Sequence, residues 1–191
     1  DYAEYMHVND TSIESGDLVK LDLEDAKSLL EKFENKIILP TDHLVTTTLK
    51  DNFRGVYSTE IPSDSYAIDI GWETIRNYKT QLANAKTILW NGPLGITEWR
   101  QSGIGTREVG LSMGENPENF VIAGGGDTIS AIKNFNITGI DYISTGGGAM
   151  LSFISGEVIG LFTHAENADL ANAFTDGAFP FGELFALIII E

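Results

Sequence analysis

Three glycine-rich turns contain the residues of this sequence that are best suited to binding a ligand. Each turn directly follows a short apolar run. The turns are Trp90-Asn91-Gly92-Pro93-Leu94-Gly95, Gly124-Gly125-Gly126-Asp127-Thr128 and Ser144-Thr145-Gly146-Gly147-Gly148-Ala149. Glycines allow backbone N–H groups to approach a ligand closely, and the N-terminus of a helix favours an anion. Because such turns at the ends of successive parallel strands share one edge of a sheet, the pattern predicts a site for a phosphorylated ligand.

Each turn also has a simpler interpretation that needs no ligand. Asn91 offers a neutral donor and acceptor and Glu98 offers a carboxylate for ribose hydroxyls, but the segment is also typical of a tight strand-to-loop turn. Asp127 is suited either to capping a helix or to holding a magnesium ion bound to phosphate, and the sequence favours capping. Consecutive N–H groups over residues 146–148 suit a phosphoryl group, or a Ser/Thr-capped helix with glycines for packing.

The elements around the turns predict an α/β fold. Apolar runs over residues 87–90, 120–123 and 140–143 precede the turns, and apolar residues at helical spacing follow the second and third. We therefore expect a Rossmann-like parallel sheet with helices on both faces, in three α/β/α layers with right-handed crossovers. The 191 residues are enough for one domain with a real core.

Other segments of the chain carry weaker signals. Residues 37–39 and 44–49 are apolar or β-branched and predict two strands, and the polar residues 50–65 predict a loop. A helix is expected directly after Asp69-Ile70-Gly71. The apolar run over residues 184–190 follows a glycine–proline break and predicts a buried strand.

The charge balance disfavours two classes of partner. Twelve basic and 28 acidic residues give a net charge of −16, which argues against nucleic acid and anionic membranes. Lys133 is the last basic residue, so an anion at the third turn must be balanced by backbone dipoles, a metal or another chain. The lack of cysteine excludes disulfides and cysteine metal sites. We expect a cytoplasmic protein, and the acidic start without Met predicts that the chain begins inside a longer parent.

The three turns, in this order and spacing, resemble phosphoglycerate kinase, as do Leu39-Pro40-Thr41-Asp42 and Asp69-Ile70-Gly71. The similarity covers about residues 10–160, in the later part of that enzyme's C-terminal, nucleotide-binding half. The resemblance implies transfer of a phosphoryl group between 1,3-bisphosphoglycerate and ADP in glycolysis. It also implies Mg²⁺ with ADP or ATP as the cofactors.

The resemblance assigns roles to individual residues. It implies that Asn91 and Pro93 line the nucleotide site, that Glu98 meets the ribose, and that Asp127 lies beside the metal-bound phosphates. Residues 146–148 lie at the helix N-terminus that stabilises the transferring phosphoryl group, which agrees with the demands of this chemistry. The implied nucleotide-binding positions are Asn91, Gly92, Pro93, Glu98, Gly124, Gly125, Gly126, Asp127 and Thr128, the metal ligand is Asp127, and the catalytic positions are Gly146, Gly147 and Gly148.

The sequence also departs from the family's pattern. The N-terminal half, which binds the phosphoglycerate, is absent, as is the glycine-and-lysine segment that meets the nucleotide phosphates. Trp72 stands where proline is usual and Thr97 where an aromatic residue is usual. We therefore expect a partial nucleotide-binding domain over residues 1–161 and an unmatched extension over residues 162–191. The apolar run in that extension suggests the hypothesis that it fills a sheet position left vacant by the missing segment; the alternative is an unrelated extension that packs on the surface or mediates association.

Three functions stay open at this point. The first is a phosphoglycerate kinase represented by its nucleotide-binding part, which we expect to be inactive alone. The second is a non-catalytic nucleotide-binding module, and the third is a structural domain with no ligand. The expected partners are an adenine nucleotide and the missing N-terminal half, with no nucleic acid and no membrane.

Overall fold

The computed structural model describes residues 27–34, 36–154 and 184–188. The strands in these ranges are β1 (His43–Thr46), β2 (Val56–Ser58), β3 (Tyr66–Ile70), β4 (Thr87–Asn91), β5 (Phe120–Gly124), β6 (Tyr142–Ser144) and β7 (Leu184–Ile188). The helices are α1 (Trp72–Ala83), α2 (Ile104–Met113), α3 (Gly126–Phe135) and α4 (Gly147–Ile154), and residues 27–32 are also helical. None of the helices in these ranges is long and apolar enough to cross a bilayer.

Four parallel strands form the sheet that carries the glycine turns, in the order β6-β5-β4-β7. Asn91 at the end of β4 is level with Gly124 of β5, and Gly124 is level with Ser144 of β6. The carboxyl ends of these strands therefore lie at one edge, and all three turns begin there. The predicted α/β fold with a parallel sheet is confirmed.

Side chains of alternate strand residues pack against helices on opposite faces of this sheet, as the two-residue period of a strand requires. On one face, Ile88 and Trp90 join a cluster with residues of α1, α2 and α3. On the other face, Leu89 and Ile122 pack against Met150 of α4. The largest fully buried side chain is Trp90, so the sheet's core lies directly beneath the first turn.

A smaller antiparallel sheet precedes the parallel one, with the strand order β2-β1-β3. The strand predicted for residues 37–39 is wrong: these residues pair with no strand, and Ile37 and Leu39 are exposed. β2 forms inside the predicted loop over residues 50–65, and β3 was not anticipated. Neither has the continuous apolar run that predicted the other strands, since β2 is only three residues long and β3 carries an aspartate among its apolar residues.

Helix α1 begins against a carboxylate from a distant part of the chain. Asp42 accepts hydrogen bonds from the backbone N–H groups of Glu73 (3.1 Å) and Thr74 (2.8 Å) and from the Thr74 hydroxyl (2.7 Å). A side chain on Gly71 would overlap this carboxylate. Burial alone would raise the pKa of Asp42, but the hydrogen bonds from Thr74 and Glu73 outweigh it and lower that pKa. The two short motifs around Asp42 and Gly71 therefore serve the fold.

The apolar run of the C-terminal extension supplies β7, which pairs with β4 in parallel over five residues, from Thr87↔Leu184 to Asn91↔Ile188. β4 is thus an internal strand, with β5 on one side and β7 on the other. Residues 189–190 and the expected domain boundary at residues 161–162 lie outside the described ranges, so that division stays a prediction.

Candidate functional site

Direct contacts hold the three glycine turns together at the sheet edge. The backbone N–H of Gly92 donates to the hydroxyl of Thr128 (2.7 Å), which joins the first turn to the second. The N–H of Gly125 donates to the carbonyl of Ser144 (3.3 Å), which joins the second turn to the third. The structure therefore builds one continuous surface from segments that are far apart in the sequence.

The first turn is a scaffold whose N–H groups are largely used inside the protein. Gly92 has a φ of 93°, a left-handed conformation that favours glycine, and its N–H is bonded to Thr128. Leu94 donates its N–H to the Thr106 hydroxyl of α2 (2.9 Å), and Pro93 has no N–H to offer. The half-buried Asn91 is consequently the main polar side chain that this turn brings to the edge.

The second turn leaves an exposed carboxylate at the start of α3. Gly125, with a φ of 95°, occupies the N-cap position, so Asp127 lies inside the first helical turn. In the described part of the chain, the Asp127 side chain is exposed and makes no hydrogen bond. The favoured capping interpretation of Asp127 is therefore wrong, and its carboxylate is open to a cation. Thr128 is fully buried and bonds to Gly92 within the protein.

The third turn exposes the N-terminus of α4. Met150 donates its N–H to the carbonyl of Gly146 (2.9 Å), which makes Gly146 the residue from which the helix starts. The N–H groups of Gly147, Gly148 and Ala149 precede the first intrahelical donor and have no carbonyl partner within the described residues. No side-chain hydroxyl caps α4 in those residues either, so the Ser/Thr-capped alternative is not what forms.

The fold requires glycine at some of these positions and not at others. A Cβ on Gly147 would lie 2.6 Å from the N and 2.7 Å from the Cα of Gly125, so glycine is needed for the two turns to touch. A Cβ on Gly126 or Gly148 would meet nothing within 4 Å, and neither residue has a positive φ. The absence of a side chain at those two positions leaves open space over the helix N-termini.

Comparison with known proteins decides the family. The sequence model of the phosphoglycerate kinase family matches residues 2–157. The chain belongs to this family. It is 42% identical over 142 residues to phosphoglycerate kinase of Lactobacillus acidophilus, covering 73% of this chain and 35% of that protein. It is 40% identical over 137 residues to phosphoglycerate kinase of Lactobacillus delbrueckii subsp. lactis, covering 71% and 34% respectively.

Solved structures of the family show the same fold. Phosphoglycerate kinase from Coxiella burnetii superposes with a TM-score of 0.67 at 28% identity, covering 81% of this chain and 42% of that one. The enzyme from Pyrococcus horikoshii OT3 gives a TM-score of 0.65 at 32% identity, covering 82% and 40%. The chain spans about a third of the length of the curated relatives it matches, so it corresponds to part of a phosphoglycerate kinase.

Glu98 is the predicted site residue that the structure does not join to the others. It is exposed on the loop between β4 and α2, and it forms no hydrogen bond or ion pair with the three turns in the described ranges. Its predicted role at the ribose stays a prediction.

The charges around the edge are sparse. No lysine or arginine of the described ranges hydrogen-bonds or forms an ion pair with the three turns. Groups of three or more histidine, cysteine, aspartate or glutamate side chains suited to a metal are also absent from those ranges. Asp127 is therefore a lone carboxylate beside two helix N-termini, whose dipoles supply the local positive potential.

Sequence reasoning missed the part that Asp69 plays in building the site. Asp69 is the fourth of the five residues of β3 and is only 4% exposed. Its carboxylate accepts hydrogen bonds from the N–H groups of Gly105 (2.9 Å) and Ile70 (2.8 Å). Burial raises the pKa of Asp69 to about 7, against the opposing effect of the backbone hydrogen bonds. The available signal was an acidic residue within an otherwise apolar pentapeptide, Tyr66–Ile70.

Proposed function

We propose that the chain is the nucleotide-binding part of a phosphoglycerate kinase and that its glycine-turn edge binds ADP or ATP with Mg²⁺. One observation carries this proposal: Gly126 and Gly148 leave open space where the fold has no need of glycine. Close approach of a ligand to the backbone is the remaining physical reason for a missing Cβ at such positions. A purely structural role accounts for Gly124, Gly125 and Gly147, and it leaves these two glycines unexplained.

The N-termini of α3 and α4 would receive the phosphates. Each helix presents free N–H groups in its first turn, and the contact of Gly147 with Gly125 brings the two helices' starts together. Phosphoryl transfer requires positioning and stabilisation of charge more than covalent chemistry from the protein. Backbone N–H groups fixed by two helices supply both, because they need no rearrangement when charge develops.

The residues present fit a magnesium ion held jointly by protein and phosphate. Mg²⁺ commonly takes one or two carboxylates together with phosphate oxygens and waters. Asp127 offers one exposed carboxylate at the start of α3, next to the proposed phosphate position. When bound, the ion neutralises charge on the phosphates, which matters here because no basic side chain contacts the turns within the described residues.

Calorimetric titration of the chain with Mg-ADP tests this proposal. We expect measurable binding at millimolar nucleotide, and we expect Gly148→Ala to weaken it about tenfold, since a methyl group would fill the space over the N–H groups. The same variant should keep its thermal stability because that methyl group meets no protein atom within 4 Å. An absence of heat from the unaltered chain would leave the structural interpretation, and unchanged affinity in Gly148→Ala would remove the proposed phosphate position.

The isolated chain should have no kinase turnover. Its relatives are phosphoglycerate kinases of which it covers about a third, and the substrate half and the lysine segment lie outside this sequence. A coupled assay with and without a separately supplied N-terminal half measures this directly. Turnover by the chain alone would contradict the expectation, whereas binding without turnover in either condition favours a non-catalytic nucleotide-binding module. We also propose a cytoplasmic location, because the glycolytic substrates of this family are found there.

A further inference from the structure

The buried carboxylate of Asp69 is a charged group that the proposed phosphate site does not use. It lies within β3, in the smaller sheet, and it accepts a hydrogen bond from the backbone N–H of Gly105 in α2. Burying a carboxylate is costly unless hydrogen bonds compensate it. Because this burial is costly, we expect the Asp69 carboxylate to hold neighbouring segments of the chain in place.

Two glycines make the room that Asp69 occupies. A Cβ on Gly95, the last residue of the first turn, would lie 2.5 Å from Oδ1 of Asp69. A Cβ on Gly105, in the first turn of α2, would overlap the same oxygen. The carboxylate is therefore wedged between the loop that leaves the first turn and the start of α2, and it contacts both.

The start of α2 is bonded in turn to the first glycine turn. Thr106, the neighbour of Gly105, accepts a hydrogen bond from the N–H of Leu94 (2.9 Å). Thr106 is fully buried, so water does not readily replace this bond. A shift at Gly105 would consequently reach Leu94 through one covalent neighbour and one hydrogen bond.

The same turn is bonded at its other end to α3. Gly92 donates its N–H to Thr128 (2.7 Å), and Trp90 donates its indole N–H to the Gly92 carbonyl (2.7 Å). The segment from Gly92 to Gly95 is thus fixed by α3 at one end and by Asp69 and α2 at the other. Asn91, which precedes this segment, is the last residue of β4 and is paired with Gly124 of β5, so the segment leaves the sheet from a fixed point.

We propose that Asp69 is a positioning residue whose carboxylate sets the distance between the first glycine turn and α2, and so places the segment from Gly92 to Gly95 relative to the second turn. The effect of Asp69 on the position of the first glycine turn does not depend on the proposed function, whereas its effect on nucleotide affinity rests on that function.

The protonation state of Asp69 provides a way to test this role without altering the chain. Burial raises its pKa to about 7, so the carboxylate changes charge across the neutral range, and the ionised form is the stronger acceptor for Gly105. Burial also raises the pKa of Tyr57, on β2, and the charge of Asp69 adds to that rise. The titratable and charged groups on the elements around Asp69 are Asp42, His43, Tyr57, Glu98, Arg100, Arg107 and Glu108. None of them is among the causes of the Asp69 shift.

The first measurement follows the backbone amide resonances of the ligand-free chain by NMR from pH 5.5 to 8.5. We expect Gly105, Leu94 and Gly92 to shift with one common midpoint near pH 7. A titration confined to Gly105, with Leu94 and Gly92 unchanged, would overturn the proposal. This readout does not depend on whether nucleotide binds.

The second measurement is the affinity for Mg-ADP over the same pH range in the unaltered chain, Asp69→Asn and Asp51→Asn. The Asp51 side chain is exposed and forms no hydrogen bond or ion pair in the described ranges, so its variant controls for the loss of one charge. We expect affinity to fall about threefold or more from pH 8 to pH 6 in the unaltered chain and in Asp51→Asn. In Asp69→Asn we expect weaker binding and a smaller fall, which reflects only the protonation of the nucleotide phosphate near pH 6 that all three proteins share. Parallel pH profiles in all three proteins would refute the positioning role. A lack of binding in all three, with the amide resonances titrating together, would refute the nucleotide proposal and leave the positioning of the turn intact.

Discussion

Replacing Gly147 with alanine should lower the free energy of unfolding by about 3 kcal/mol, since overpacking against rigid backbone is at the costly end of such changes. The new Cβ would lie 2.6 Å from the N and 2.7 Å from the Cα of Gly125, and neither atom can move without displacing a whole turn. The bond from the Gly125 N–H to the Ser144 carbonyl should lengthen or break in consequence. Urea unfolding followed by tryptophan fluorescence measures the loss.

Gly148→Ala is the matched control for this prediction, because it makes the same substitution one residue later in the same helix. Its Cβ meets nothing within 4 Å, and alanine has a higher helix propensity than glycine. We expect its free energy of unfolding to be unchanged or higher by up to about 1 kcal/mol. Equal losses in the two variants would show that the contact between the second and third turns is not what Gly147 provides.

The second large effect concerns pH. The pKa of Asp69 rises from 3.8 to about 7 on folding, so between these values the folded state binds more protons than the unfolded state. The contribution of Asp69 to the free energy of unfolding therefore falls as pH rises from about 4 to about 7 and is constant above that. At 1.36 kcal/mol for each pKa unit, the shift lowers the free energy of unfolding by at most roughly 4 kcal/mol between these pH values. Relaxation of the protein around the charged carboxylate makes the loss smaller.

Comparison with Asp69→Asn isolates this contribution from the rest of an acidic protein. The net charge of −16 also makes stability depend on pH, and that background is common to both proteins. The difference in free energy of unfolding between the unaltered chain and Asp69→Asn should decrease from pH 4 to pH 7. Differences that stay constant across the range would mean that Asp69 keeps an ordinary pKa in the folded protein.

The gathering of the three turns at one sheet edge was predictable because its signals are local. A run such as residues 120–123 is apolar enough to be a strand, and the glycines directly after it mark the strand's end. Parallel strands then bring their carboxyl ends to one edge by the rules of α/β folds. Asp127 and residues 146–148 were placed at helix starts for the same reason, and the structure has them there.

The partners of individual groups could not be predicted, since they come from distant parts of the chain. Gly92 is 36 positions from Thr128, whose hydroxyl accepts a hydrogen bond from the N–H that the sequence analysis assigned to a ligand. Asp42 is 32 positions from Thr74, and its carboxylate accepts a hydrogen bond from the Thr74 N–H in the first turn of α1. Asp127 was assigned more readily to capping than to a metal, because no sequence pattern shows that Gly125 already occupies the cap position.

The pairing of β7 with β4 has a consequence for how the chain folds as it is made. β4 occupies Thr87–Asn91, whereas its parallel partner is synthesised about a hundred residues later, and pairings of such high contact order form slowly. Until Leu184–Ile188 leaves the ribosome, one backbone edge of β4 lacks this partner and is a template for other strands. The nascent protein should therefore pass through a period of aggregation risk that ends only when its last described strand arrives.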